Sequence, residues 1–320
     1  VLIRPIATSA SDLDRVLPLL PPGRVGAWAD ADTFRDGLAK GEYRSEWTWV
    51  AEEGGETRAV ALWWGTAHDT LPSVLNTLHV RESVGPDESR AALAAELLTA
   101  AHGEFAARGQ DKPPEYHVLL PADWRDRPEA VAELAWRQEG ARRAGLTVPL
   151  ERLRYEWTPG NGTPAPSSRL RFRPEPDDEV FAGLFRAVLE GTLDVGSRTG
   201  AETMGADAQA RAELAFYRDS MRGERSWWRI AETPQGDPVG FALPSRNTGS
   251  HVVGYLGVLP ARRGHGYVDD LLAEITRLLA EEAGADLVRA DTDLPNRPMA
   301  AAFDRVGYRN FARRLVLSAP

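Results

Sequence analysis

Gly254-Tyr-Leu-Gly-Val258-Leu-Pro-Ala-Arg-Arg-Gly264-His-Gly266-Tyr-Val-Asp-Asp-Leu-Leu-Ala-Glu-Ile275 reads as a strand, a tight glycine turn and a helix, and it decides the fold. The apolar run of Leu256, Val258 and Leu259 stops at Pro260, and Gly264 and Gly266 allow a positive φ. Leu271, Leu272, Ile275, Leu278 and Leu279 then recur at helical spacing. Backbone N–H groups left free where a helix starts, with Arg262 and Arg263 beside them, suit a phosphate or pyrophosphate. The plain alternative for a lone G-x-G is an ordinary strand–turn–helix corner.

Outward from this stretch, the same order of elements reads twice along the chain. The first half gives a strand at 2–6, a helix from Ser11, strands at 47–52 and 59–65, and a strand at 73–80. A helix at 89–107, a strand at 116–120, a helix at 128–144 and a strand at 150–157 complete it. The second half gives a strand at 170–174, helices at 180–189 and 208–221, and strands at 226–232, 238–244 and 252–259. After the glycine turn and its helix come a strand at 287–290, a helix at 298–306 and a strand at 311–317. The Pro/Gly/Ser-dominated run at 158–168 marks a linker. The expected domains are therefore 1–158 and 169–320, joined by 159–168, a duplicated unit of mixed α/β (α+β) character.

With 320 residues and 42% hydrophobic content, each unit has enough apolar surface for its own core. A formal charge of −9 argues against nucleic acid or an anionic membrane as the main partner and favours an amine-bearing one. Cysteine is absent, which excludes disulfides, a thiol nucleophile and a thiolate metal site. The histidines lack metal-ligand spacing, so no metal is expected. There is no apolar run of transmembrane length and no signal pattern, and a cytoplasmic protein is expected.

Three spaced features then resemble the GCN5-related N-acetyltransferase (GNAT) family. Val258-Leu-Pro260 precedes Arg263-Gly-His-Gly266-Tyr-Val268, similar to the family's pyrophosphate loop. Downstream stand Asn296, a helix around 300–305, and Gly307-Tyr308, in the family's order. The resemblance implies two tandem acyl-CoA N-acyltransferase-type domains, each a mixed, mostly antiparallel sheet flanked by helices. It also implies transfer of an acetyl or other acyl group from acetyl-CoA to an amine, without metal. A small-molecule acceptor, such as a specialised metabolite or an antibiotic, is expected, with a monomer or homodimer as the assembly. A CoA-binding or scaffolding protein without turnover, and a protein N-acetyltransferase, remain alternatives.

In this reading Leu256, Gly257, Val258, Arg263, Gly264, His265, Gly266, Tyr267, Val268, Asp269 and Asn296 bind the co-substrate. N–H groups of 264–269 hold the pyrophosphate, the backbone of 256–258 pairs with the pantetheine arm, and an N–H near Val258 faces the thioester oxygen. The family's usual glutamate position is Gly254 and its usual tyrosine position is Phe303. Glu190, Asp194 and Tyr255 are the candidates for proton transfer in their place, and water or a non-catalytic site are the other readings. Asp269 and Asp270 lie uncomfortably close to the proposed phosphates, with Arg262 and Arg263 as their expected offset.

The first half departs at the matching turn, Arg81-Glu-Ser-Val-Gly-Pro-Asp-Glu88, which has one glycine and three acids. A like-charge contact near ~4 Å costs about 4 kcal/mol at an effective dielectric of 20. This half is therefore expected to be a degenerate copy, the alternative being a second site with an unusual loop.

Overall fold

Leu271, Leu272, Ile275, Leu278 and Leu279, the helical series that follows the glycine turn, are all fully buried in the computed structural model, which describes residues 1–7, 9–23 and 25–320. The elements of the first half are β1 (Leu2–Pro5), α1 (Ala10–Val16), α2 (Ala31–Lys40), β2 (Thr48–Glu53), β3 (Glu56–Trp64) and β4 (Val74–Val80). They continue with α3 (Asp87–Ala107), β5 (Glu115–Pro121), α4 (Pro128–Arg143) and β6 (Val148–Trp157). The second half holds β7 (Arg171–Arg173), α5 (Asp178–Leu189), α6 (Val195–Met204), α7 (Ala206–Ala215), β8 (Arg229–Glu232) and β9 (Pro238–Arg246). After these come β10 (His251–Val258), α8 (Tyr267–Glu281), β11 (Val288–Asp293), α9 (Arg297–Arg305) and β12 (Arg309–Ser318).

Two compact units result, one of Val1–Arg152 with Ala312–Pro320 and one of Leu153–Phe311. This differs from division at the Pro/Gly-rich run. That run lies inside the second unit and is tied down there. Thr158 and Asn161 form a capping box, the Trp157 indole donates to the Gly162 carbonyl at 3.0 Å, and the Ser167 hydroxyl donates to Asp270 at 2.6 Å. The last nine residues, expected in the second domain, belong to the first unit, where β12 pairs antiparallel with β5.

Within the first unit the strand order is β1-β2-β3-β4-β5-β12, and within the second it is β6-β11-β10-β9-β8-β7. In each, the strand before the long helix and the strand after it pair in parallel, β4 with β5 and β10 with β11, while the strands leading up to that helix pair antiparallel. The repeat read from element order is thus present in the topology. The first unit's core centres on Trp47, Trp63, Trp136 and Phe105 beneath α3 and α4. In the second unit the sheet separates two apolar layers, one under α8 and α9 (Leu271, Ile275, Val288, Phe303) and one under α5 and α7 (Phe181, Phe185, Leu214, Phe241).

Two helices are additions to the sequence reading. α2 and α6 are both ten residues long and contain glycine, a poor helix former, at Gly37 and at Gly196 and Gly200. Side-chain caps offset that cost, since Asp30 accepts the Thr33 N–H at 2.8 Å and Asp194 accepts the Ser197 N–H at 2.7 Å.

Candidate active site

β10 is flanked by β9 along its length but pairs with β11 only at His251↔Val288 and Val252↔Arg289. A register shift between Val252 and Tyr255 bends β10 away from β11 at Gly254, whose φ is +69°. Beyond this bulge the edge of β10 that faces away from β9 is open. The Leu259 N–H donates to the Val239 carbonyl across the β9–β10 pair at 2.9 Å. Alternation along an antiparallel pair then turns the backbone groups of Leu256 and Val258 to the open edge.

The strand runs into a turn at Pro260–Arg262, and Gly264 (φ +82°) and Gly266 (φ +73°) reverse the chain into α8. The Arg263 N–H is used within the turn, donating to the Pro260 carbonyl at 3.2 Å, and the Asp269 N–H donates to the Gly266 carbonyl at 3.1 Å. Between them, the N–H groups of residues 264–268 find no acceptor among the described residues. Five consecutive free amides at a helix start make a nest for an anion.

The amides and the open edge share one cleft of about 370 Å³. Of the residues expected to hold the co-substrate, Leu256, Gly257, Val258, Arg263, Gly264, Gly266, Tyr267, Val268 and Asn296 line it, and so does Tyr255. His265 and Asp269 do not line it, and neither do Glu190 and Asp194. Arg262 also lines it, and Val188, Gly191, Thr192, Leu193, Pro298 and Met299, which the sequence reading did not single out, complete its walls.

Two side chains have positions that differ from those expected. Arg263 reaches carbonyls: Nε donates to Val258 at 3.1 Å, one terminal nitrogen to Glu190 at 2.6 Å and the other to Val188 at 2.8 Å. It staples the end of α5 to the end of β10. Arg262 pairs with Asp237 at 3.1 Å. Neither arginine therefore offsets Asp269 and Asp270. Asp269 is held by Arg305 through two bonds of 2.7 and 2.8 Å, and Asp270 by Arg169 and Ser167. The two acids of the first turn are thus neutralised from outside the cleft, by residues 36 positions after and 101 positions before them.

The candidates for proton transfer separate in the same way. Glu190 is exposed at the end of α5, and its backbone carbonyl, rather than its carboxylate, is engaged by Arg263. Asp194 caps α6, a role that occupies one carboxylate oxygen with the Ser197 N–H. Tyr255 packs its ring on Phe241 (5.8 Å, stacked) and Phe185 (4.6 Å). Burial pushes its phenol well above the usual tyrosine range, with Ser197 hydrogen-bonded to it. Phe303 is 2% exposed and stacks on Tyr155 at 4.7 Å, in the core under α8 and α9. Gly254 carries the bulge. His251 begins β10 with its ring 5.9 Å from Trp227, and burial lowers its pKa. It is not among the residues that line the cleft. Asp293, at the end of β11, escaped the sequence reading. It is 1% exposed and accepts the Val195 N–H at 2.7 Å, holding the start of α6.

In the first unit the matching turn uses its central amides internally. The Val84 N–H donates to the Arg81 carbonyl and the Gly85 N–H to the Glu82 carbonyl, both at 3.1 Å, and Pro86 has no N–H. Two of its acids are paired, Asp87 with Arg90 at 3.3 Å and Glu88 with Arg143 at 2.6 Å. The run of free amides is thus interrupted at 84–86 in this turn, whereas it is continuous over 264–268 before α8.

Among the described residues, no group of three or more His, Asp or Glu side chains could hold a metal ion, and no helix is long and apolar enough to cross a membrane.

Comparison with known proteins places this geometry in a class. Residues 199–308, which include β10, the glycine turn, α8 and Asn296, match the Acetyltransferase (GNAT) family. This part of the chain is a domain of the GCN5-related N-acetyltransferase family. The fold is that of a GCN5-related N-acetyltransferase from Sphaerobacter thermophilus, at 16% identity over 98% of this chain and 94% of that one, with a TM-score of 0.57. A tandem GNAT protein from the clavulanic acid biosynthesis pathway is similar over 99% of this chain and 98% of its own, at 16% identity and a TM-score of 0.52. A glucosamine N-acetyltransferase region in a fungal multi-domain GH3 β-N-acetylglucosaminidase matches at 14% identity and a TM-score of 0.56, covering 98% of this chain and 38% of that one. No curated protein matches the chain.

Proposed function

We propose that the protein is an acyl-CoA-dependent N-acyltransferase that moves an acetyl group from acetyl-CoA to an amine of a small molecule, with its working site in the second unit. The observation that carries this reading is the run of free amides at 264–268 opening into the same cleft as the unpaired edge of β10. A diphosphate fits the first, and an extended amide-bearing arm fits the second as an added strand.

In this reading the chain's own groups do three things. The Val258 N–H, on the open edge, donates to the thioester oxygen as negative charge develops there. The cleft holds the amine nitrogen against the thioester carbon, so that a C–N bond forms and the C–S bond breaks. The Tyr255 phenol, kept protonated by burial, gives its proton to the leaving thiolate, and the proton lost by the amine passes to water. Glu190 and Asp194 are left to structural positions.

The acceptor is read as a small amine because one region of the same fold is described as a glucosamine N-acetyltransferase and another protein of the fold comes from the clavulanic acid biosynthesis pathway. The first unit serves as a copy without a co-substrate site. Calorimetry with CoA, followed by thiol release from acetyl-CoA over a panel of amines, tests the reading. Tight CoA binding with no turnover for any amine supports a CoA-binding protein instead, and no CoA binding removes both.

A further inference from the structure

Arg169 lies just before β7, at the end of the Pro/Gly/Ser-rich run, and its side chain reaches the outer side of the glycine turn. One terminal nitrogen donates to the His265 carbonyl at 2.9 Å, and the other to the Gly266 carbonyl at 3.2 Å and to the Asp270 carboxylate. Its guanidinium also lies 5.1 Å from the centre of the Tyr267 ring. Ser167 completes the arrangement. Its hydroxyl accepts the Arg169 and Leu170 N–H groups, both at 3.0 Å, and donates to Asp270 at 2.6 Å.

These contacts have a directional consequence. A peptide plane carries its carbonyl and the next residue's N–H on opposite sides. Holding the His265 and Gly266 carbonyls outward on Arg169 therefore turns the N–H groups of Gly266 and Tyr267 to the other side. That is the side where residues 264–268 have amides without acceptors. The same guanidinium neutralises Asp270, which would otherwise oppose an anion at the start of α8. A flexible glycine turn is thus fixed in its anion-binding form by a residue from a distant segment. An ordinary surface ion pair needs neither the two carbonyls nor the ring.

We infer that Arg169 is a positioning residue for the anion-binding turn: it acts through the His265 and Gly266 carbonyls and Asp270 to set the affinity for the diphosphate of the co-substrate. This rests on the reading of the cleft as a CoA site. Arg169 does not line that cleft, so its effect is confined to the part of the ligand that meets the turn.

Calorimetry on the full chain with two probes, CoA and pantetheine, tests it, because pantetheine has the thiol arm but no diphosphate. Arg169→Ala is expected to weaken CoA roughly tenfold or more and to leave pantetheine within about twofold, as loss of charge-assisted bonds to one part of the site requires. Arg169→Lys keeps the charge but cannot serve both carbonyls and the carboxylate, and it should fall between wild type and Arg169→Ala. In steady-state assays the KM for acetyl-CoA should rise while kcat holds. Equal loss for both probes, or no loss for either, overturns the inference and leaves the CoA reading standing. Wild type that binds no CoA overturns both. Should Arg169→Ala fail to fold, judged by circular dichroism, the same two-probe comparison on Arg169→Lys decides.

Discussion

A Cβ placed on Gly254 would lie 2.0 Å from the carbonyl oxygen of Leu243 on the neighbouring strand, and the backbone there has a φ of +69°. The position where the family often carries a glutamate is thus the residue that makes the bulge in this chain. Gly254 separates β10 from β11 and opens the cleft, so its lack of a side chain is a condition of the site.

Gly254→Glu is accordingly expected to destabilise the second unit without supplying a base. Left-handed backbone and the close carbonyl together cost about 2 kcal/mol or more. Chemical denaturation should show an earlier midpoint for the variant, and thiol release should fall with it. A variant of normal stability and higher activity would mean that the position tolerates a carboxylate and that the bulge is incidental.

His102, on α3 in the first unit, is packed edge-on against Trp63 at 5.9 Å, and burial lowers its pKa from 6.5 to about 4. The fold therefore holds the neutral ring, whereas the unfolded chain takes up a proton as pH drops below 6.5. This contribution to stability is complete above about pH 6.5 and is lost as pH falls toward 4. Between pH 7.5 and pH 5 it amounts to about 2 kcal/mol. His102→Leu, which has no proton to gain, should lose less stability than wild type over that interval in urea titrations at the two pH values. Identical pH dependence for the two proteins would show that the ring is already charged, or accessible, in the fold.

The glycine turn was legible because its chemistry is local: positive φ needs glycine, and a helical apolar series fixes where α8 begins. Asn296 and Gly307-Tyr308 stand out only through the family resemblance. Arg169 was not, because its partners lie 96 to 101 residues away and it follows a run that composition marks as linker. Nor was the return of residues 312–320 to the first unit, since strand periodicity says which face is buried but not which strand lies alongside. α6 was hidden by Gly196 and Gly200, although Asp194 three residues before Ser197 is a capping signal. The acids of the first unit's turn are legible, and the bonds that its Val84 and Gly85 amides make are not. Backbone amides that are already bonded do not show in a sequence.

Arg263 offers a test of role. Three of its donors are taken by the carbonyls of Val258, Glu190 and Val188, so Arg263→Ala leaves those acceptors without a partner and frees the end of α5 from β10. The expected cost is about 1–3 kcal/mol in stability, from groups that lose their donor. The salt dependence of CoA affinity should stay as in wild type, because the side chain does not serve a phosphate. A flatter salt dependence, by about one phosphate contact, would show that the guanidinium turns to the anion when CoA is present.

Tyr255 separates an acyltransferase that protonates its leaving group from one that leaves this to solvent. Its phenol has a pKa above the usual value of about 10 because it is buried against Phe185 and Phe241, so the proton stays on the oxygen through the alkaline range. Tyr255→Phe removes the proton and keeps the ring stack. The expected result is a fall in kcat of roughly a hundredfold, the usual scale for a positioned acid, with CoA affinity and thermal stability near wild type. The sign of the shift adds a second measurement. An acid that must be protonated to act gives a descending limb as it ionises, and a raised pKa moves that limb upward. The wild-type rate should therefore show no fall from this group up to about pH 10. A variant with unchanged kcat, or a wild-type profile that drops between pH 8 and 9 and loses that drop in Tyr255→Phe, would remove the phenol in this role and leave proton delivery to water.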